Sequence, residues 1–344
     1  MPKLPQEIIE DILSRLPVKN LVQLKCGCKA WFAFISDPQF AKLQLKKAKE
    51  TTNLQKLFFA NCPLQTIDVD VDSDWVSKQV GYPENWAYIG GSCNGLVFLV
   101  SFSNDLLVLN PTTRDSRKLP KPDTTFTSQD SVFYGLGYDV LIDDYKVLRG
   151  VISAASSGSS SREAKVEVLE LKTNTWRRIQ YPHLSFNIDG AGVFSNDHLH
   201  WLGIRDGESD WIYVPVIISF DLIEERFQMF APVQEYNIDS LGLGNLGDNL
   251  VILCERFKKN GKVLLDFDGR ELVVYNTKEE TLRNFLIDDD WDHFAAVIYE
   301  ESLMSPNVAV DDEAIRLNQA EDVEEKGEDS SEEVQLKKKG KKLE

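Results

Sequence analysis

Cysteine, histidine and methionine are scarce in this sequence, which has 5, 4 and 3 of them among 344 residues. The cysteines are odd in number and irregularly spaced, which argues against a disulfide framework. No Asn-x-Ser/Thr acceptor with a permitted middle residue is present. Both absences favour a reducing compartment, and we expect the protein in the cytoplasm, the nucleus or both.

Long apolar runs and an excess of positive charge are missing as well. No stretch of about 18 apolar residues occurs, and the N-terminus lacks the apolar segment of a signal peptide. We therefore expect neither secretion nor a membrane partner. The net charge of -17 argues against a nucleic-acid partner, because neutralising phosphates requires a basic face.

Residue types that build metal and catalytic sites do not stand at the required spacings. His198 and His200 alternate, as in some metal sites, but Trp201 follows, and packing or hydrogen bonding explains the pair better. Cys26 and Cys28 lie too close together for zinc and have no second pair. No Ser or Cys stands in a nucleophile-elbow sequence. We expect no catalytic residue, no metal and no cofactor.

One glycine pattern is typical of dinucleotide sites. Residues 242–247 read GLGNLG, but a cofactor loop requires a helix N-terminus after it to hold the pyrophosphate. The following residues, DNLVIL, predict a strand instead, so we interpret these glycines as turn residues. The acidic cluster at 288–292 likewise lacks the spacing and the glycine of a calcium loop.

The first forty residues predict three short helices. Pro5 suits the start of the first, Pro17 ends it and opens the second, and Ser36-Asp37-Pro38 stops the third. Each helix carries an apolar stripe. The stripes comprise Ile8, Ile9, Ile12, Leu13 and Leu16, then Leu21, Val22 and Leu24, then Trp31, Phe32, Phe34 and Ile35. A module of about 40 residues cannot bury this much apolar surface internally, so a partner must cover the remainder.

Three phrases in this region, LSRLPVK, LKCGCKAW and ISDPQF, follow a Leu-Pro start and resemble an F-box of the plant type. F-boxes dock on the Skp adaptor of SCF (Skp, cullin, F-box) ubiquitin ligases, so the resemblance implies contact with cullin and RING subunits through that adaptor. The alternative is an ordinary three-helix core. The Skp-binding residues implied by the resemblance are Leu4, Pro5, Ile8, Ile9, Ile12, Leu13, Leu16, Pro17, Leu21, Leu24, Lys25, Cys28 and Trp31.

Helical patterning continues from Pro38 to about Lys49 and includes several lysines. We interpret these lysines as the solvated face of a helix that joins the F-box to the rest of the chain. A nuclear signal and a patch for an acidic partner are the alternatives.

From Leu57 to about Met304 the sequence predicts short strands separated by Gly, Asn, Asp, Pro and Thr turns. A unit of about four strands recurs four times between about Trp86 and Asp288, at a period typical of propeller blades. Strands near 57–60, 65–69 and 293–300 are left over, and we expect them to form one composite unit.

Such repeats are typical of a β-propeller, because one blade cannot bury its faces alone whereas a closed ring can. We expect a small all-α F-box followed by an all-β domain with five blades, or six as the alternative, closed by the C-terminal strand. The phrases GSCNGLVFL, LNPTTR, GLGYD, LKTNTWRRI and IYEESLMSP resemble the plant F-box-associated domain.

Beyond Val310 the chain is charged and poor in apolar residues, which predicts a disordered tail. Its basic run, Lys337 to Lys342, resembles a nuclear localisation signal, with a solvated charged end as the alternative. The predicted domains are therefore 1–50 (F-box and linker helix), 51–309 (propeller) and 310–344 (tail).

The two resemblances imply a non-catalytic substrate adaptor that presents a protein for ubiquitination and proteasomal degradation. An F-box protein that acts outside the ligase, as a binding or sequestering module, is the alternative. No pattern assigns substrate-binding residues, because such residues lie in end loops, where the sequence is least regular.

Overall fold

The computed structural model describes most of the chain from Pro5 to Asn307. The described residues are 5–51, 55–60, 64–68, 77–80, 86–153, 164–179, 186–188, 190–206, 213–229, 242–246, 249–253, 262–267, 271–276, 281–285 and 295–307. Leu4, the acidic cluster at 288–292 and the tail 310–344 with its basic run lie outside them.

Four helices open the chain: α1 (Gln6–Ser14), α2 (Val18–Lys25), α3 (Lys29–Ile35) and α4 (Pro38–Thr51). Pro5 and Pro17 stand immediately before α1 and α2, as their fixed φ angles suit. Asp37 caps α4, because its Oδ1 accepts the backbone N–H groups of Gln39 (2.8 Å) and Phe40 (3.1 Å). The predicted helices are thus confirmed. No helix among the described residues is long and apolar enough to cross a membrane.

Strands make up the regular structure described after α4. They are β1 (Gln55–Ala60), β2 (Gln65–Asp68), β3 (Ser77–Gln79), β4 (Trp86–Cys93), β5 (Leu96–Ser101), β6 (Leu106–Leu109), β7 (Ser116–Leu119), β8 (Ser131–Asp139), β9 (Asp144–Ile152), β10 (Ala164–Glu170), β11 (Trp176–Ile179), β12 (Phe186–Ile188), β13 (Gly190–Ala191), β14 (Val193–Ser195), β15 (His198–Asp206), β16 (Tyr213–Asp221), β17 (Arg226–Met229), β18 (Gly242–Leu246), β19 (Asn249–Leu253), β20 (Lys262–Phe267), β21 (Glu271–Asn276), β22 (Thr281–Phe285) and β23 (Ala295–Glu300).

The predicted repeats form antiparallel sheets of consecutive strands. The first repeat is the sheet β4-β5-β6-β7, and the second is β8 to β11 with β13 added in parallel to β8. In the third, β15, β16 and β17 follow in order, and both β12 and β14 pair with β15. The fourth repeat is described as two sheets, β18-β19 and β20-β21-β22. The count of five blades stays a prediction.

The glycine pattern at 242–247 lies in a β-hairpin. Gly242 and Gly244 belong to β18, which pairs with β19 directly after it. The prediction that a strand follows the glycines is confirmed. The prediction that these two are turn residues is wrong, because they take part in the β18 ladder themselves.

The composite unit predicted from the leftover strands is confirmed. β23 pairs with β1 along its full length, from Gln55 opposite Glu300 to Ala60 opposite Ala295, and β2 and β3 complete the sheet. This pairing brings the last described strand onto the first one. It removes the two open sheet edges that an unclosed ring would present.

A buried asparagine fixes the segment that follows β23. The fully buried side-chain amide of Asn110 donates to the carbonyl oxygens of Ser302 (2.9 Å) and Met304 (2.7 Å). Its Oδ1 accepts the backbone N–H groups of Thr112 (2.8 Å) and Thr113 (3.2 Å). The phrases LNPTTR and IYEESLMSP thus meet in one hydrogen-bonded clamp.

Glycine is required where this segment crosses the β4–β5 turn. Asn94 and Gly95 both have positive φ, 49° and 85°. The hydroxyl of Ser302 donates to the Asn94 carbonyl at 2.9 Å. A Cβ on Gly95 would lie 2.1 Å from the Ser302 hydroxyl oxygen and 2.6 Å from the Glu300 carbonyl oxygen, so only glycine allows this close approach.

Helix α4 joins the helices to one end of the β domain. Lys42 forms an ion pair with Asp143 in the β8–β9 turn, and Lys49 lies 3.0 Å from Glu300 at the end of β23. Lys47 pairs with Asp11 of α1. The interpretation of α4 as a joining helix is confirmed, and Lys46 and Lys49 are exposed as expected, whereas Lys42 and Lys47 are half-buried and ion-paired. We call the end that carries the turns at Asn94 and Asp143 the helical end, and the opposite end the far end.

The helices and the β domain share one hydrophobic core. A single cluster of buried side chains contains Leu13, Val18, Leu21, Ile35, Phe40, Ala41 and Leu45 of the helices together with Cys93, Leu96, Phe98, Val100, Leu106, Val108, Leu119, Tyr134, Leu136, Tyr145, Val147, Leu169, Leu171, Leu303 and Met304. The β domain therefore covers part of the apolar surface that the short helices cannot bury between themselves.

A fragment of residues 1–51 will lack this shared core. We expect it to show no cooperative thermal transition by circular dichroism, because Leu21 and Ile35, fully buried in the whole chain, lose apolar neighbours in the fragment. The full-length chain is the reference. A sharp, cooperative melting curve for the fragment would contradict the shared-core description.

Candidate functional site

The apolar stripe of α1 divides into a buried and an exposed part. Leu13 is 5% exposed and belongs to the shared core, whereas Ile8 and Ile12 are 46% and 51% exposed. These two isoleucines are four residues apart and lie next to each other on the helix. We treat this exposed aliphatic pair as a candidate interaction surface.

The structure distributes the predicted docking residues over three environments. Leu13 and Leu21 are buried in the chain's own core. Ile9, Leu16, Leu24, Lys25 and Trp31 are half-buried, while Pro5, Ile8, Ile12, Pro17 and Cys28 are exposed. The docking assignment stays a prediction for the whole set. The exposed residues are the ones that an adaptor can reach without a change in the core.

Helix α3 adds an aromatic side chain that the docking prediction did not include. Cys28 caps this helix, since its Sγ accepts the backbone N–H of Trp31 at 3.5 Å. Phe32 is 59% exposed, although it belongs to the apolar stripe seen in the sequence. Its place in that stripe was the available signal.

Charged groups of the helices lie on α1 and at the contact between α2 and the β domain. Asp11 of α1 accepts hydrogen bonds from Lys47 and from Arg15, whose Nε lies 3.2 Å away, and these bonds lower the pKa of its carboxyl. Lys25 of α2 faces the β domain, where burial lowers its pKa and the charge of Asp115 partly opposes that shift. Lys25 thus lies at the junction of helices and sheets.

Each histidine of β15 has a ring nitrogen within hydrogen-bond distance of a backbone carbonyl oxygen. A ring nitrogen of His198 lies 2.7 Å from the Asn196 carbonyl, and one of His200 lies 3.2 Å from the Ser195 carbonyl. Burial lowers the pKa of His200. Within the described ranges, no three His, Cys, Asp or Glu side chains are grouped so as to hold a metal ion.

A family model described as "F-box associated beta propeller domain" matches residues 67–303. The chain belongs to this family. A second model, described as "F-box-like", matches residues 1–42, which include α1, α2 and α3. The all-β domain is therefore a propeller, and the three helices in front of it are an F-box. The two matches confirm both resemblances seen in the sequence.

Curated relatives agree with this assignment. F-box protein CPR1 of Arabidopsis thaliana is 31% identical over 332 residues, which cover 89% of this chain and 75% of CPR1. F-box protein At4g22390 of the same plant is 30% identical over 74% of this chain and 68% of its own length. The solved structure of YjhT is 12% identical over 61% of this chain and 68% of its own, and its TM-score of 0.34 is too low to carry an argument.

Proposed function

We propose that this F-box protein is the substrate-recognition subunit of an SCF ubiquitin ligase. The observation that supports this function best is the exposed pair Ile8 and Ile12 on a helix of the F-box-like segment. The F-box binds a Skp-family adaptor through this surface, and the adaptor connects it to the cullin and RING subunits. The propeller binds a protein substrate in the cytoplasm, the nucleus or both.

The junction between F-box and propeller suits this role. The shared core and the pairs Lys42–Asp143 and Lys49–Glu300 hold α4 against the propeller. A substrate bound to the propeller then keeps a defined distance and orientation from the ubiquitin-charged enzyme of the ligase. The protein contributes proximity and orientation, which accelerate transfer without a catalytic residue of its own.

Replacing Ile8 and Ile12 with serine will weaken binding to the Skp-family adaptor. Anchors of this kind cost about 2 kcal/mol each, so we expect the double variant to bind more than about 100-fold less tightly. Because both side chains point into solvent, the melting temperature of the full-length chain should stay nearly unchanged. Titration of the purified chain with an Arabidopsis Skp-family adaptor measures the effect, and co-purification of the cullin subunit tests assembly.

Leu141→Ser is the matched control for exposed apolar surface. Leu141 is 73% exposed in the β8–β9 turn, outside the F-box. The Leu141→Ser variant should bind the adaptor with the affinity of the wild type. If the wild type and the Ile8, Ile12 double variant bind the adaptor with equal affinity, α1 does not carry the docking surface. Adaptor binding without cullin would instead indicate an F-box protein that works outside the ligase.

A further inference from the structure

Two exposed aromatic side chains meet at the far end of the first repeat. β4 runs from the far end to the turn at Asn94, so Tyr88 lies in its far half, and β5 returns to the far end, where Phe102 follows its last residue. Tyr88 is 56% exposed and Phe102 is 74% exposed. Their ring centroids lie 5.9 Å apart at 68°, an edge-to-face pair.

Phe102 is not needed to build the turn that presents it. Backbone and hydroxyl groups close this turn: Ser101 N–H donates to the Asp105 carbonyl (2.9 Å), and Asp105 N–H donates to the Ser101 hydroxyl (2.8 Å). The Ser103 hydroxyl donates to the Asp105 carboxylate at 2.7 Å. Asn104 has the positive φ, 58°, that the turn requires. The backbone that carries Phe102 is therefore fixed by bonds to which the exposed phenyl ring does not contribute.

The charge beside this aromatic pair is locally positive. Lys121 lies 3.0 Å from the Asp105 carboxylate and also donates to the Ser103 carbonyl at 3.3 Å. Hydrogen bonds from Ser103 and Lys121 lower the pKa of Asp105, and the charge of Lys118 adds to this effect. The charges of two ammonium groups thus act on one carboxylate. The net charge of these three groups, +1, is opposite in sign to the net charge of -17 of the whole chain.

We propose that Tyr88 and Phe102 form a docking surface for an acidic segment of the protein substrate. An apolar side chain of that segment packs on the two rings, and a neighbouring carboxylate faces Lys118 and Lys121. Phe and Tyr side chains have only two rotatable torsions and lose little conformational entropy on binding, and aromatic residues are enriched among interface hot spots. The proposal deepens the adaptor function and rests on it, since it places the substrate on the end opposite the F-box.

A peptide array tests the surface directly. The probes are twelve-residue peptides with a central Leu or Phe flanked by Glu, together with matched sets in which Gln or Lys replaces Glu, or Ser replaces the apolar residue. The purified full-length chain is expected to prefer the Glu-flanked apolar set. The Phe102→Ser and Tyr88→Ser variants should each lose about tenfold or more in affinity for a selected peptide, measured by fluorescence anisotropy.

Further variants separate the parts of the proposal. Lys118→Gln with Lys121→Gln should remove the preference for Glu over Gln while apolar binding remains. Leu141→Ser, exposed at the helical end, should bind the peptide like the wild type. Absence of any preference for the Glu-flanked apolar set, a preference for Lys-flanked peptides, or equal binding by Phe102→Ser would each overturn the proposal.

The experiment also distinguishes this surface from the adaptor function. The Ile8, Ile12 double variant should lose the Skp-family adaptor but keep the peptide, and Phe102→Ser should do the reverse. If the wild-type chain binds the peptide but does not bind the Skp-family adaptor, only the proposed function is contradicted. Loss of peptide binding with normal adaptor affinity would contradict the docking surface alone.

Discussion

Asn110→Ala is expected to lower the free energy of unfolding by about 3 kcal/mol or more. The substitution leaves the carbonyl oxygens of Ser302 and Met304 buried without their donor, and each such loss costs about 1–3 kcal/mol. It also removes the acceptor for the backbone N–H groups of Thr112 and Thr113. Urea unfolding of the full-length chain measures the change.

Asn110→Asp is the sharper variant, because it keeps the shape and the acceptor for the turn. It replaces the donating amide with a carboxylate that faces two carbonyl oxygens, so we expect a loss of stability at least as large as that of alanine. Asn20→Ala, at an exposed position of α2, is the control and should stay within about 0.5 kcal/mol of the wild type. If both Asn110 variants unfold like this control, the clamp does not stabilise the propeller.

Removal of the closing strand is expected to prevent the propeller from folding. A chain that ends at Asp290 lacks β23, so β1 loses its partner from Gln55 to Ala60, and Asn110 loses Ser302 and Met304. We expect no cooperative unfolding transition and a strong tendency to aggregate, because unpaired edges pair with other chains. Size-exclusion chromatography and thermal melting monitor the two effects.

A chain that ends at Val310 is the matched control, since it keeps β23 and the clamp. Its melting temperature should lie within about 2 °C of the full-length value, and its affinity for the Skp-family adaptor should be unchanged. The two cuts are close in sequence but differ in the closing strand. Similar melting of both truncated chains would mean that the repeats form an open arrangement.

Local sequence signals predicted the elements of this fold well. Pro5, Pro17 and Pro38 marked the helix limits, because proline restricts the backbone around it regardless of distant contacts. The closing strand was predicted from strand-like residues left over at both ends of a regular repeat. The helix limits depend only on short segments, and the closing strand depends on the number of strands in each repeat. The pairing of β23 with β1 confirms the closing strand.

Features that depend on distant partners were not predictable in this way. The apolar stripe of α1 is wider than the part that the core can bury. The sequence alone therefore could not show that Leu13 lies in the core while Ile8 and Ile12 are exposed. The bonds of Asn110 to Thr112 and Thr113 are local, but nothing near Asn110 in the sequence specifies Ser302 as its partner. Lys42 was likewise read as solvated, because Asp143 lies in another element.

The pairing of β23 with β1 also sets the order of events during synthesis. At about 5–20 residues per second, β1 leaves the ribosome roughly 12–50 s before Glu300, the partner of Gln55. During this time the residues of the F-box have already been synthesised, but the first sheet still presents an open edge, and the shared core still lacks Leu303 and Met304. A pause or premature stop before β23 therefore leaves a nascent chain in which neither the propeller nor the core shared with the F-box helices is complete.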